Sequence, residues 1–316
     1  MMGSYKYISV AMTVFNGEEY LEDQINSILK QTLKPSEIVI CNDASEDKSS
    51  EILNKFSKKY KEIKVINNKI NQGVVASFEI ALKNLDNKTD FIFLSDHDDI
   101  WLENKIEKMI KNSSGCSSII SDLKVVDSNL KIINNSFFKY SGFRNKKELN
   151  FINILIKNPA PGCGIMFKGD LLKDILPFPK NIVMHDWWII LVSNANRGIK
   201  ILNEPLVLYR QHSENQLGIT NNNLRGLKKR INKIGSSFKY FKYREERRKI
   251  MIENTIKYKL TSNSDLPILF QLYLINGLAR NFQLINFFLV IYTNCGLSTA
   301  FKESLFYLLN IYNNEK

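Results

Sequence analysis

Four short apolar runs, each followed by a segment in which apolar residues recur at helical spacing, organise the first hundred positions. Tyr7 to Val14, Glu37 to Asn42, Lys64 to Asn67 and Phe91 to Leu94 are β-rich. The first, second and fourth are mostly apolar without strict alternation, the pattern of strands covered on both faces. Glu18 to Gln31 places Tyr20, Leu21, Ile25, Ile28 and Leu29 on one helical stripe, and Asp47 to Tyr60 and Val74 to Leu85 behave alike. Strand–helix alternation with crossovers this short predicts βαβ units and a parallel sheet with helices on both faces. Ligands of such sheets bind beyond the carboxyl ends of the strands. Asn16, Asp43, Gly73 and the run Asp96 to Asp99 all fall at those ends.

The second half changes character. Ser117 to Asp122 and Lys124 to Asn134 read as strands, the latter with a hairpin about Asp127-Ser128-Asn129. A helix is expected over 147–157, then a stiff Pro159-to-Gly164 turn into a strand at Ile165 to Phe167. His185-Asp186-Trp187-Trp188 opens a helix closing near Gly198, and Ile201 to Tyr209 is a last strand interrupted by Pro205. Beyond the Asn-rich stretch ending at Asn223 the pattern is helical, with Leu266 to Tyr292 and Leu297 to Tyr312 as its apolar parts. The expected division is therefore an α/β domain over 1–220 and a basic, apolar helical region over 221–316.

Composition sharpens this picture in two respects. With 316 residues and 44% hydrophobic content the chain can bury an ordinary core. The net charge of +12 is concentrated: from Asn223 to Leu260 thirteen Lys and Arg face three Glu, leaving the remainder nearly neutral. Phe238, Tyr240, Phe241 and Tyr243 interleave with those cations. An anionic membrane surface, nucleic acid or plain solvent would each suit such a segment. Cys41, Cys116, Cys163 and Cys295 show no CxxC pair and read as buried small hydrophobes of a reducing compartment. There is no basic-then-apolar leader and no uninterrupted apolar stretch of about 18 residues. The expected location is the cytoplasm, peripheral at the inner face of the plasma membrane.

The chemistry concentrates where the fourth strand ends. Phe91 to Leu94 runs directly into Ser95-Asp96-His97-Asp98-Asp99. Clustered carboxylates repel one another and resist desolvation, and a bound cation relieves both; oxygen ligands of this kind suit magnesium or manganese. The plainer reading makes Asp98 or Asp99 the cap of a helix beginning near Leu102. His185-Asp186 likewise has two readings, a helix cap beside two core tryptophans or a cleft-facing general base. The helix dipole favours its ionised form, and desolvation supplies basicity. His97, His185 and His212 are the three histidines of the chain, and all lie beside these motifs.

Ser9 to Asn16, Asn42-Asp43-Ala44-Ser45, Asn71-Gln72-Gly73 and Ser95 to Trp101, in this order, resemble the motifs of family 2 glycosyltransferases with the GT-A fold. His185-Asp186-Trp187-Trp188 and Tyr209-Arg210-Gln211-His212 resemble the rhamnosyltransferase-like branch, although His97 stands where that branch commonly has glutamine. The resemblance implies a Rossmann-like α/β domain with a mostly parallel sheet and a nucleotide-sugar site. In that site Asp43 would bind the base, Thr13 and Phe15 would line its pocket, and Asn16, Gly73 and Asp96 would complete the donor contacts. Asp98, with Asp96 and His212, would hold Mg²⁺ or Mn²⁺ against the diphosphate. Asp186 would deprotonate an acceptor hydroxyl. The donor implied is dTDP-L-rhamnose or a UDP-hexose, and the acceptor a saccharide carried on a polyprenyl diphosphate. Two other readings stay open here. A nucleotidyltransferase that makes sugar nucleotides would want a glycine-rich loop where Phe15-Asn16-Gly17-Glu18-Glu19 stands. A non-catalytic membrane- or nucleic-acid-binding protein would not need the acids.

Overall fold

The computed structural model describes residues 6–142, 151–212 and, between 247 and 260, residues 247, 250–255, 257, 258 and 260. In chain order the first elements are β1 (Ile8–Val14), α1 (Leu21–Leu29), β2 (Glu37–Asn42), α2 (Ser49–Lys59), β3 (Ile63–Asn67), α3 (Val74–Lys83) and β4 (Phe91–Ser95). Then come β5 (Ile100–Trp101), α4 (Lys105–Lys111), β6 (Ser118–Asp127), β7 (Ile132–Asn134), α5 (Phe137–Ser141) and α6 (Phe151–Ile156). Finally β8 (Ile165–Lys168), α7 (Leu172–Ile175), α8 (His185–Ala195) and β9 (Ile199–Gln211) complete the set.

These residues pack as two compact units. The second holds residues 151–157 and 181–183 with the described residues from 247 onward, and Ile154, Leu155, Met251 and Ile252 are buried within the fold. The expected boundary at 220/221 lies outside the described residues. So do most of the basic stretch, the helices expected over 266–292 and 297–312, the start of the helix expected over 147–157, and Cys295.

The first unit contains the sheet, ordered β3-β2-β1-β4-β8-β6-β9-β5 with β7 on β6. β3, β2, β1 and β4 pair in parallel, as the alternation of strands and helices requires. β8 is antiparallel to both β4 and β6, β9 runs parallel to β6, and β5 is antiparallel to β9. Parallel pairing thus dominates the N-terminal half, and antiparallel pairs enter with β8. Every residue of β1 and β4 is buried, which is why both read as unbroken apolar runs. Ile25 and Ile28 of α1 and Leu53 and Phe56 of α2 close one core with Val10, Met12, Ile38 and Ile40. Each such side chain contributes about 1.5–3 kcal/mol on burial.

Two features differ from the reading of the sequence. Ser117 to Asp122 and the start of the next segment form one strand, β6, whose register against β9 shifts on both sides of Asp122, opposite Pro205. Proline supplies no ladder N–H. The Asp122 Oδ1 accepts instead from the N–H groups of Leu123 at 2.8 Å and Phe138 at 3.0 Å, so the irregularity is satisfied internally. The second feature is β5. It follows the acidic run immediately, yet lies at the far end of the strand order, on β9. Residues 96–99 therefore leave the parallel half of the sheet and join β9. α4 begins only at Lys105, with Asn104 at its N-cap position, so neither Asp98 nor Asp99 caps it.

Candidate active site

Thr13, Phe15, Asn16, Asp43, Gly73 and Asp96 line one cleft of about 960 Å³ at the carboxyl ends of the parallel strands. Asp98, Asp186 and His212 line it too, so the residues expected to bind donor and metal and to act as base share a single space, while Asp99 does not line it.

The end of this cleft nearest β1, β2 and α3 is held by side chain to backbone contacts. Asp43 Oδ1 accepts from Asn68 Nδ2 at 2.7 Å and from the Gln72 N–H at 2.9 Å, and Oδ2 accepts from the Gly73 N–H at 2.8 Å. Gly73 precedes α3 at φ +85°, a left-handed conformation that glycine adopts without strain. Asp43 thus fixes the loop it was expected to share with a ligand. Asn16 Oδ1 accepts from the Glu46 N–H at 2.9 Å, and its own N–H donates to Ser45 Oγ at 3.1 Å, tying the loop after β1 to that after β2. Phe15, 43% exposed, presents its ring to the cleft.

The acidic run is organised by β9. The Arg210 N–H donates to Asp99 Oδ1 at 3.0 Å, and Arg210 Nε donates to the Asp98 carbonyl at 2.8 Å. Its Nη1 donates to the Ser128 carbonyl. Two residues on, His212 Nε2 lies 2.9 Å from Asp98 Oδ2. The Tyr20 ring packs across both, 4.3 Å from the Arg210 guanidinium carbon and 5.1 Å from the His212 ring. His97 turns over Gly17, where a Cβ would come within 2.4 Å of its Cδ2. In the sequence Arg210 is only part of the Tyr209-to-His212 motif, with no role of its own.

Lys105 is not among the residues that the sequence singles out. This side chain is fully buried, donates to the Cys163 carbonyl at 2.7 Å and lies 3.3 Å from the centre of the Trp101 ring. The signal was a lysine within the apolar stripe of α4, beside Ile106, Met109 and Ile110. Burial draws its ammonium down to about 7, against the charges of Asp99 and Asp96. Burial and the Asp98 charge push Asp99 up to about 7. Asp96 is driven well above the ordinary carboxylate range by burial and then by the charges of Asp98, Asp99 and Asp186. Asp98 goes the other way: burial opposes it, but the hydrogen bond from His212 and the His97 and His212 charges hold it low.

Among the described residues, the one set of three potential metal ligands whose donor atoms lie within 4.8 Å of one another is Asp96, Asp99 and Cys163; the expected set of Asp96, Asp98 and His212 does not meet that spacing. The set with Cys163 is a poor cation site. Burial holds the Cys163 thiol well above its ordinary range, so it does not offer a thiolate. Asp99 and Cys163 also do not line the cleft. Asp96, Asp98 and His212 do line it, and the His212–Asp98 contact brings an imidazole and a carboxylate to one point. Hard oxygens with one imidazole fit Mn²⁺ or Mg²⁺ there.

Asp186 is the second residue of α8, buried, with Oδ1 accepting from the Trp187 N–H at 2.6 Å. Trp187 and Trp188 are buried behind it, and Trp188 Nε1 donates to the Ile175 carbonyl at 3.1 Å. His185 stacks on Phe78 with ring centres 3.8 Å apart, and burial pulls its imidazole down to about 3. The sign follows directly. Below pH 6.5 the unfolded chain binds a proton that the folded chain refuses, so stability falls as pH drops from 6.5 towards 3. His185→Leu is expected to remove this component, flattening the loss between pH 6.5 and 4 by up to about 1.4 kcal/mol per pH unit. Urea denaturation at several pH values checks it; an unchanged slope would contradict the assignment.

Residues 9–174 match the family model described as glycosyl transferase family 2. The chain belongs to that family. It is 29% identical over 218 residues to the dTDP-rhamnosyl transferase RfbG of Shigella flexneri, covering 66% of this chain and 73% of that protein. It is 26% identical over 228 residues to the UDP-Glc:alpha-D-GlcNAc-diphosphoundecaprenol beta-1,3-glucosyltransferase WfgD of Escherichia coli, covering 72% and 85%. The fold of this family 2 transferase is similar to that of S. aureus TarS 1-349 in complex with UDP-GlcNAc, with TM-score 0.57 at 16% identity, covering 98% of this chain and 92% of that one. It is also similar to the mannosyltransferase PcManGT of Pyrobaculum calidifontis in complex with GDP-Man and Mn²⁺, with TM-score 0.58 at 13% identity over 99% and 88%. The GT-A fold and the glycosyltransferase class expected from the motifs are thereby established. Among the described residues no helix is long and apolar enough to cross a membrane.

Proposed function

We propose that this transferase moves a sugar from a nucleotide-diphosphate donor to a saccharide hydroxyl with inversion, in the synthesis of a bacterial surface polysaccharide. The observation that carries the reading is that Asp186 and the Asp96–Asp98–His212 set line one cleft, with the Asp186 charge acting on Asp96. The acceptor oxygen attacks the anomeric carbon as the bond from that carbon to the diphosphate breaks. The acceptor proton passes to Asp186, and the nucleoside diphosphate leaves. Asp96, Asp98 and His212 would hold a divalent ion, which would neutralise charge on the leaving diphosphate. Phe15, Thr13, Asn16, Asp43 and Gly73 form the nucleotide end.

The first choice of donor is dTDP-L-rhamnose, supported by the branch motifs and by the similarity to RfbG; a UDP-hexose is second, supported by the similarity to WfgD. The acceptor is a saccharide on a polyprenyl diphosphate, in line with the acceptor in the name of WfgD. The excess of ten positive charges over Asn223 to Leu260 would draw the enzyme to an anionic membrane surface on the cytoplasmic side. Salt-sensitive flotation with anionic liposomes is expected, and flotation equal with neutral ones would contradict this.

A thermal-shift screen of nucleotide sugars with Mn²⁺ tests the donor. Ligand at about 100 times its Kd stabilises by about 2.7 kcal/mol. A shift with dTDP-L-rhamnose beyond that of the UDP-hexoses supports the first choice. A shift with a UDP-hexose alone moves the donor, and no shift with any nucleotide sugar rejects the reading.

A further inference from the structure

We propose that His185 is a specificity-determining residue that hydrogen-bonds a hydroxyl group of the transferred sugar. The inference rests on the nucleotide-sugar reading and adds to it a contact with the sugar itself. His185 is 2% exposed and lines the cleft beside Asp186. Neither ring nitrogen has a hydrogen-bond partner among the described residues. Buried polar atoms in folded proteins are nearly always paired, and two orphaned nitrogens on one ring mark a partner that arrives with a ligand. The ring is fixed for that purpose. Its face stacks on Phe78 of α3, and Nε2 is directed at Gly162, where an added Cβ would lie 3.0 Å from it. Pro161 and Gly162 line the same cleft, with Gly162 packed against this nitrogen.

The chemistry of the ring narrows the ligand. Its imidazole stays neutral across the usable pH range, so it offers one N–H donor and one lone pair, without a charge. A phosphate or carboxylate would want a cation. A sugar hydroxyl both donates and accepts, and matches a neutral imidazole at either nitrogen. The diphosphate would lie at the Asp96, Asp98 and His212 end of the cleft, which leaves His185, next to the proposed base, for the sugar.

Two variants, His185→Leu and His185→Gln, test this by calorimetry with Mn²⁺. The probes are dTDP and UDP as nucleotides, and dTDP-L-rhamnose and UDP-glucose as sugar donors. In the leucine variant, affinity for the donor that the wild type binds is expected to fall by about 10–100-fold, because a sugar hydroxyl loses its partner in a dry site. The matching nucleoside diphosphate should keep its Kd within about twofold. Glutamine, which restores a donor and an acceptor, should recover most of the lost affinity. The leucine variant is expected to melt no lower than the wild type, since it removes polar atoms that the free protein leaves unpaired. A structural role would lower melting and weaken nucleotide and sugar nucleotide together. Parallel changes of that kind, or an unchanged donor affinity, would overturn the proposal. Should leucine prevent folding, the glutamine variant carries the test alone, with donor binding within about tenfold of wild type expected and loss of nucleotide and donor binding together overturning the idea. Failure of the wild type to bind any of the four probes would overturn the nucleotide-sugar reading, and this inference with it.

Discussion

Asp186→Asn is expected to lower kcat by about 10²–10⁴-fold, the usual worth of a general base, while the donor Kd stays within about twofold. The substitution is close to isosteric. Asparagine can keep an oxygen where Oδ1 accepts from the Trp187 N–H at 2.6 Å, and the buried Trp187 and Trp188 behind it hold the start of α8 in place. What disappears is the capacity to take a proton from the acceptor hydroxyl. The barrier should rise by about 3–5 kcal/mol with little change in unfolding free energy. Steady-state kinetics with donor and acceptor, alongside donor titration, separates the two quantities. Turnover retained in the variant would remove Asp186 from the role. A parallel loss of donor binding would make it a binding residue.

Asp98→Ala is expected to abolish the Mn²⁺ dependence of donor binding and to weaken it by about 10–100-fold or more. Losing even an outer partner of a metal ligand typically costs that much. The loop should survive the change, because Arg210 holds the Asp98 backbone carbonyl and the Asp99 carboxylate. His212 loses its carboxylate partner in the same step, so two donors of the expected ion site are disturbed by one substitution. Calorimetry of the donor with and without Mn²⁺ reads the effect. Equal affinities for wild type and variant under both conditions would sink the metal assignment.

The N-terminal half was legible because its physics is local. β1, β2 and β4 are buried on all or nearly all positions, so their apolar runs mark them to within a residue or two. The helices between them carry amphipathic stripes of ordinary period. Turn residues at Asn16, Asp43 and Gly73 then located the cleft without knowledge of the tertiary structure, because a parallel sheet binds ligands at one end. The acidic run was ambiguous in sequence for a physical reason as well: a carboxylate before a helix caps it and a carboxylate beside a cleft binds. β5 removes the cap reading. Two residues cannot form a strand by propensity, and Ile100-Trp101 is one only because β9 pairs with it.

The same dependence on partners explains what was read wrongly or not at all. Ser117 to Asp122 and the start of Lys124 to Asn134 read as two strands, whereas Asp122 satisfies a register shift opposite Pro205 within one strand. α5 and α7, of five and four residues, have no periodicity to detect. Lys105 was invisible as a site residue because a lysine on a helix is normally solvated. Its burial depends on the Cys163 carbonyl, 58 residues away in the chain, as well as on the nearby Trp101. Arg210 and Tyr20 belong to the same class: the sequence names them, and only the packing of β9 on the acidic run shows that they hold it.

The anomeric configuration of the product tests the account most directly. Wild-type enzyme, Mn²⁺, the donor selected by the binding screen and a saccharide acceptor on a polyprenyl diphosphate would be incubated and the new linkage assigned by NMR. Attack by an oxygen activated at Asp186 predicts a glycosidic bond of configuration opposite to that of the donor, formed with one nucleoside diphosphate released per bond. A product of retained configuration, or transfer that persists undiminished in Asp186→Asn, would contradict it.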